Sequence, residues 1–287
     1  MVESISKLKT GVARLSVLSN SFLIILKLVT GLISGSVSII SEAIHSSMDL
    51  LAAIIAFFSV KVSDNPPDSR HPYGHGKVEN ISGVLEAILI FIAAGWIIFE
   101  AIKRLLEGSP DLEILWAGFG VMVVSGVINI VVSRRLYKIA RETGSVALEA
   151  DALHLKTDVY TSLGVAAGLG LILITGIKWL DSAAAIGVAF LILWESYRLL
   201  RKAFTPLLDE SWPDGEVEEL KEFLNDLGVN YHDLRTRTSG NYLFIDLHIS
   251  IPGGESVESS HNYCDMIEGE LTRKYRNLNV TIHVEPL

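Results

Sequence analysis

Six apolar runs fill the first two thirds of the chain, at about residues 12–34, 38–62, 80–102, 114–133, 150–174 and 178–199. Each is near the roughly 20 residues that a helix needs to cross the hydrocarbon of a bilayer. Turn-forming stretches separate them: "ISGSVS", "SDNPPDSRHPYGHG", "EGSPDLE", "ARETGS" and "ITGIKW". Small residues within the runs, such as Gly164 and Gly168, let helices approach closely. The expected fold is a membrane all-α six-helix transmembrane bundle over residues 1–205, with a second domain over 206–287.

Composition supports that division. Mean hydropathy is +0.40 and 49% of the 287 residues are hydrophobic, too apolar for an average soluble protein. Residues 1–202 hold 18 Lys/Arg against 17 Asp/Glu, whereas residues 203–287 hold 6 against 16. A nearly neutral apolar part thus precedes an acidic part, and the acidity speaks against a nucleic-acid partner. The single Cys264 excludes an internal disulfide framework and a Cys-rich zinc knuckle. The N-terminus lacks a small-residue cleavage signature, so the first apolar run reads as a retained span.

Six spans put both ends on one side. Thirteen basic residues flank the spans on that side, including Lys7, Lys61, Arg134, Arg141, Arg198 and Lys202, against three (Lys103, Arg104 and Lys178) on the other. The positive-inside rule makes both termini cytoplasmic.

Two of the most apolar runs carry a His-x-x-x-Asp pair, His45/Asp49 and His154/Asp158. Residues four apart share a helix face. Spans two and five run in opposite directions, and a rise of about 1.5 Å per residue puts both aspartates roughly 15 Å inside their spans. The two pairs can therefore meet at one depth. Two imidazoles and two carboxylates are a suitable ligand set for tetrahedral Zn²⁺. Bare carboxylates at that depth are costly, and a bound dication or protons would offset their charge. A packing or hydrogen-bonding role is the plainer reading of one such pair; two matching pairs favour a site. Lys27, Glu42, Glu86, Glu100 and Glu195 read as structural or interfacial.

The loop between spans two and three, "DNPPDSRHPYGHGKVEN", offers Asp68, His71 and His75 as three further ligands, with Gly74 and Gly76 allowing the backbone to turn. It reads equally as a polar loop with two solvated histidines. After Leu207 the pattern becomes that of a small α+β domain in the order α-β-β-α-β. A helix runs over 214–228, with Asp214 as its N-cap and Gly228 as its stop. A hairpin turns at 239–241; a second helix and a last strand follow. His232, His248, His261 and His283 fall here, and Glu285 shares a strand face with His283. Histidines with one carboxylate fit zinc, although scattered surface histidines would have the same spacing.

These residues give the chain its resemblance to the cation diffusion facilitators, and among them to bacterial dimeric zinc/iron transporters. The resemblance covers nearly the whole length and implies a metallochaperone-like cytoplasmic domain, a homodimer and a bacterial plasma (inner) membrane location. It implies a transport site at His45, Asp49, His154 and Asp158, a loop site at Asp68, His71 and His75, and a binuclear cytoplasmic site at His232, His248, His261 and His283, with Glu285 as bridging carboxylate. All eight histidines are then used. Three positions depart from the pattern. Close relatives carry Asp where this chain has His45, which resembles the zinc-selective members. The bridging carboxylate is more usually Asp. The family's charge interlock pairs a Lys with an Asp, but Leu207 stands at the partner position of Lys77, and Asp209 is the nearest acid.

The expected function is export of a divalent cation, Zn²⁺ first, with Cd²⁺, Fe²⁺ or Co²⁺ as possible substrates, by proton antiport across the lipid bilayer. Zinc is both substrate and regulatory ligand, and no organic cofactor is expected. The alternative is a membrane-bound metal sensor or scaffold with a non-transporting intramembrane site. An intramembrane metallohydrolase fits less well, because no HExxH-type base is evident and four protein ligands leave no position for a water. With no nucleotide-binding loop, an ATP-driven pump is not expected.

Overall fold

A computed structural model describes residues 2–34, 37–107, 115–175, 179–240 and 242–287. Within these ranges the side chains of 2–4, 34, 37–42, 44, 45, 48, 104, 107, 115–122, 164–174 and 181 lie outside the description. Six long helices come first: α1 (Val2–Ser34), α2 (Val37–Ser63), α3 (Lys77–Glu107), α4 (Leu115–Thr143), α5 (Val146–Thr175) and α6 (Trp179–Phe204). Three segments are long and apolar enough to cross a membrane among the described residues, namely Ile5–Ile33, Lys77–Lys103 and Ser182–Leu208.

The helices pair as α1 with α2, α4 with α5, and α3 with α6. Helix α5 joins these layers because it is buried on two sides. Ala147, Leu148, Ala152 and Leu155 pack with α4 residues such as Leu136 and Ala140. Ala150 and Leu153 pack with Ala87, Ile90 and Ala94 of α3 and Ile192 of α6. Alanine recurs at these contacts because hydrocarbon gives apolar side chains no reason to leave lipid, so close backbone approach supplies the attraction. The large apolar side chains face outward instead: Phe22, Ile25 and Ile33 on α1, Ile92, Trp96 and Phe99 on α3, Phe190 and Trp194 on α6.

A short 3₁₀ turn (Thr205–Leu208) leads into the second domain: α7 (Asp214–Asp226), β1 (Tyr231–Ser239), β2 (Tyr242–Ile251), α8 (Val257–Lys274) and β3 (Leu278–Pro286). The order is the expected one. Strand order is β1-β2-β3, with β1 antiparallel and β3 parallel to β2. Ile245, Leu247 and Ile249 alternate along β2 and meet Leu220 and Leu224 of α7 and Ile267 and Leu271 of α8. Each such buried side chain contributes about 1.5–3 kcal/mol. The intervening positions, His248 among them, face away from the helices. Gly228, at φ +69°, ends α7 as expected, but the N-cap is Pro213, and Asp214 is already inside the helix.

The two domains touch through the loop that precedes α3. Lys77 Nζ lies 2.8 Å from Oδ1 of Asp209, two residues beyond Leu207. That contact holds Asp209 below the usual aspartate range. Arg237 of β1 lies over the rings of Tyr73 (5.0 Å) and Phe244 (4.1 Å). Gly74 adopts φ +83°, as a turn requires. Gly76 is needed for another reason: a Cβ there would strike the backbone of Ser239 and Gly240.

Candidate metal centres

Helices α2 and α5 bring Asp49, His154 and Asp158 together. One ligand atom from each lies within 4.8 Å of the other two. His154 Nε2 is 3.1 Å from Asp49 Oδ1, with the two side chains 13% and 8% exposed. Asn129 of α4 donates to Asp158 Oδ2 at 3.4 Å. His154 Nδ1 is buried without a hydrogen-bond partner among the described residues. His45 lies in α2, one turn before Asp49, and its side chain is outside the described residues. Three nitrogen and oxygen donors at this separation can close on one small dication, with a fourth needed to complete a tetrahedron.

Neighbouring polar groups escape a reading of sequence. Asp151 and Glu86 are fully buried. Glu86 Oε2 lacks a partner among the described residues, while Ser82 donates to Glu86 Oε1 at 3.2 Å. Glu86 is therefore packed inside the bundle, as a structural residue. Asp151 lies three residues before His154, a helical spacing that could have flagged it. Lys27 donates to Ser46 Oγ at 2.7 Å, and Glu195 pairs with Lys156 at 3.7 Å. Lys9 does not sit at the surface: it is 1% exposed and bonds Asp64 (2.7 Å) and Glu79 (2.6 Å). Glu79 also accepts from Ser63 and Ser145.

The loop forms a second group from Asp68, His71 and His75, again within 4.8 Å. Asp68 Oδ1 accepts the backbone N–H groups of His71 (2.7 Å) and Arg70 (2.8 Å). Those bonds hold its carboxyl below the usual range. His71 Nδ1 lies 3.2 Å and His75 Nε2 3.4 Å from its oxygens. The carboxylate is thus preset as an acceptor between two imidazoles.

The third group crosses the open face of the sheet. Pairing places His232 opposite His248, and His248 opposite His283, so three imidazoles stand in a row across three strands. Glu285, two residues beyond His283, reaches back along that face. It lies 3.1 Å from His232 Nε2, 3.2 Å from His248 Nδ1 and 3.6 Å from His283 Nε2. Partial desolvation pushes the Glu285 carboxyl up, but the His248 and His232 contacts outweigh it and hold the group below the usual glutamate range. His232, His248 and Glu285 meet within 4.8 Å. His261 is not part of that group; it sits near the start of α8, 3.6 Å from Asp265.

Comparisons with known proteins agree with this architecture. Residues 13–208 match the cation efflux transmembrane domain, and residues 212–287 match the cytoplasmic domain of cation efflux proteins. The chain is 38% identical to the "uncharacterized transporter sll1263" of Synechocystis sp. over 91% of its length and 85% of that protein. It is 30% identical to the cation-efflux pump FieF of Salmonella paratyphi A over 93% of its length and 89% of that protein. A solved structure of CzrB in its zinc form is 39% identical over 27% of this chain and 92% of that one, with a TM-score of 0.26.

Proposed function

Because this chain belongs to the cation efflux family, the cation diffusion facilitators, and is a metal-cation efflux transporter by that membership, we propose that it exports Zn²⁺ from the cytoplasm in exchange for protons. The observation that carries the reading is the convergence of Asp49, His154 and Asp158 from α2 and α5. His45 would supply the fourth ligand. A set of two imidazoles and two carboxylates favours Zn²⁺ over Mg²⁺, Ca²⁺ or Mn²⁺; Cd²⁺, Fe²⁺ and Co²⁺ are the competing substrates.

Zinc enters from the cytoplasmic side and binds the four ligands. The helix bundle rocks, and the site faces outward. Protons from outside compete for the imidazoles and carboxylates and release the ion. Ligands must be deprotonated to bind metal, so the two fluxes couple without a separate relay. Histidine suits this exchange because its ordinary pKa lies near 6.5. Six spanning helices, cytoplasmic termini, an inner-membrane location, a domain boundary near 205 and a homodimer complete the reading. Zinc at the His232–His248–Glu285 group, with His283 and His261 as further ligands, would act as a regulatory ligand drawing two cytoplasmic domains together. The loop residues Asp68, His71 and His75 would hold a third ion.

The test is uptake by purified protein in proteoliposomes, with Zn²⁺, Cd²⁺, Fe²⁺, Co²⁺ and Mn²⁺ supplied in turn and a pH indicator inside. Zinc flux with opposed proton flux, lost in Asp49→Ala/Asp158→Ala, is the expected result. Zinc binding without flux would replace this reading with the sensor or scaffold.

A further inference from the structure

We infer that a cleft over the outer face of α5, between α4 and α6, binds an anionic phospholipid of the cytoplasmic leaflet through Arg134, Arg141 and Arg198. The cleft encloses about 1120 Å³, more than the roughly 300–1,000 Å³ of pockets for small ligands. It lies at the end of the bundle from which α6 leads into the cytoplasmic domain. The ligand groups Asp49, His154 and Asp158 are not among its lining, so it is separate from the transport site.

Its charge is unbalanced in a particular way. Six cations line it, Arg134, Lys138, Arg141, Lys156, Arg198 and Lys202, against three carboxylates, Glu142, Glu149 and Glu195. The lysines take the carboxylates: Lys202 lies 2.6 Å from Glu149, Lys156 3.7 Å from Glu195, and Lys138 4.0 Å from Glu142. Lys156 is further held over the rings of Tyr160 (5.1 Å) and Tyr137 (5.6 Å). The three arginines are exposed and have no carboxylate partner among the described residues. Three guanidiniums facing one concavity form a receptor for phosphate oxygens, which arginine binds in a bidentate fashion.

The rest of the lining identifies the kind of phosphate. Ile130, Val159 and Leu163 continue the cleft along α4 and α5 away from the cationic end. A free anion would gain nothing from that floor, whereas an acyl chain would cover it. Basic pockets between helices on the cytoplasmic side suit acidic headgroups, and the anionic lipids of that leaflet supply them. The positive-inside rule accounts for cations at this level, but not for three unpaired arginines around one cleft. A second copy of the chain is a poor occupant, because a twofold contact would set this net positive surface against itself.

The experiment is native mass spectrometry of the full-length protein in detergent, titrated with phosphatidylglycerol and, separately, phosphatidylcholine. The variants are Arg134→Gln/Arg141→Gln/Arg198→Gln and a charge-matched control outside the cleft, Arg14→Gln/Lys61→Gln/Arg201→Gln. At about 1 kcal/mol per basic residue, the cleft variant should bind phosphatidylglycerol roughly 100-fold more weakly and lose its preference over phosphatidylcholine. The control should keep both. If the triple variant fails to fold, Arg198→Gln alone should lose roughly fivefold. Equal loss in the cleft and control variants would overturn the site in favour of diffuse surface charge. Displacement of the lipid by millimolar inorganic phosphate would overturn it in favour of a free-anion site.

Discussion

Replacing Lys9 with methionine isolates the buried charge cluster that ties the helix ends together. The Lys9 ammonium is 1% exposed and bonds Asp64 of the loop after α2 and Glu79 of α3, at 2.7 and 2.6 Å. Ser63 donates to Glu79 at 2.7 Å, and Ser145, in the turn between α4 and α5, donates to its other oxygen. The cluster therefore spans α1, α2, α3 and the start of α5. Methionine fills the volume of the lysine stem but leaves Glu79 as a buried acid without a countercharge. Removing one partner of a buried ion pair costs about 3–5 kcal/mol. Two serines still solvate Glu79, and Asp64 is 14% exposed, so the low end applies, about 3 kcal/mol. At about 2–4 °C per kcal/mol for a chain of this size, Tm should fall by roughly 6–12 °C. The assay is size-exclusion of detergent-solubilised protein after graded heating, for Lys9→Met, Glu79→Gln and the double variant. Glu79→Gln removes the stranded charge, so the double variant should be less destabilised than the sum of the singles by more than about 1 kcal/mol. A Tm drop under about 2 °C, or plain additivity, would refute a net contribution from this cluster.

Gly240→Ala should loosen the contact between the domains, because Gly240 has φ +59° and a Cβ would lie 2.7 Å from the Gly76 carbonyl oxygen. Backbone strain alone costs about 1–2 kcal/mol, and faster proteolysis within residues 64–76 would report the loosening; an unchanged rate would count against it. Glu285→Gln should weaken zinc binding by the cytoplasmic group at least tenfold, because the carboxylate touches all three sheet histidines. Calorimetry on the full chain carrying Asp49→Ala/Asp158→Ala would read that change without the proposed transport site. The Lys77–Asp209 contact should depend on pH: Asp209 is held below its ordinary value, so its contribution is full above about pH 4 and is lost as pH falls through the lowered folded value. Asp209→Asn, which tolerates the residue's φ of 56°, should remove that pH dependence of the same proteolysis while costing no more than about 1 kcal/mol, since the pair is exposed.

What could be read from sequence was local. The meeting of Asp49 with His154 and Asp158 was legible because a spacing of four puts His154 and Asp158 on one helix face, and because opposed spans place Asp49 at a matching depth. Glu285 was legible beside His283 for the same reason at strand spacing. The row of three imidazoles was not, since it depends on the register of His232 with His248 and of His248 with His283, and one of those pairings is parallel. The burial of Lys9 was not legible either. A lysine just before an apolar run resembles an interfacial anchor, and its partners lie 55 and 70 residues away. Glu86 was obscured likewise, because nothing in its neighbourhood marks full burial, whereas Asp151 had only its helical spacing from His154 to mark it.

Several of the long-range groups within the helix bundle share one location: they lie where α5 meets the other layers. Its buried stripe carries Asp151, His154 and Asp158 inward, while Glu149 and Lys156, on its cleft side, pair with Lys202 and Glu195 of α6. A shift of α5 along its axis would therefore alter the ligand geometry with Asp49 and break ion pairs with α6 together. It would also move Ser145 relative to Glu79. A transporter that exposes one site alternately to two sides needs an element whose displacement is felt at the ion and at the bundle's rim. Under the proposed mechanism, helix α5 would meet that requirement through contacts that no local pattern encodes.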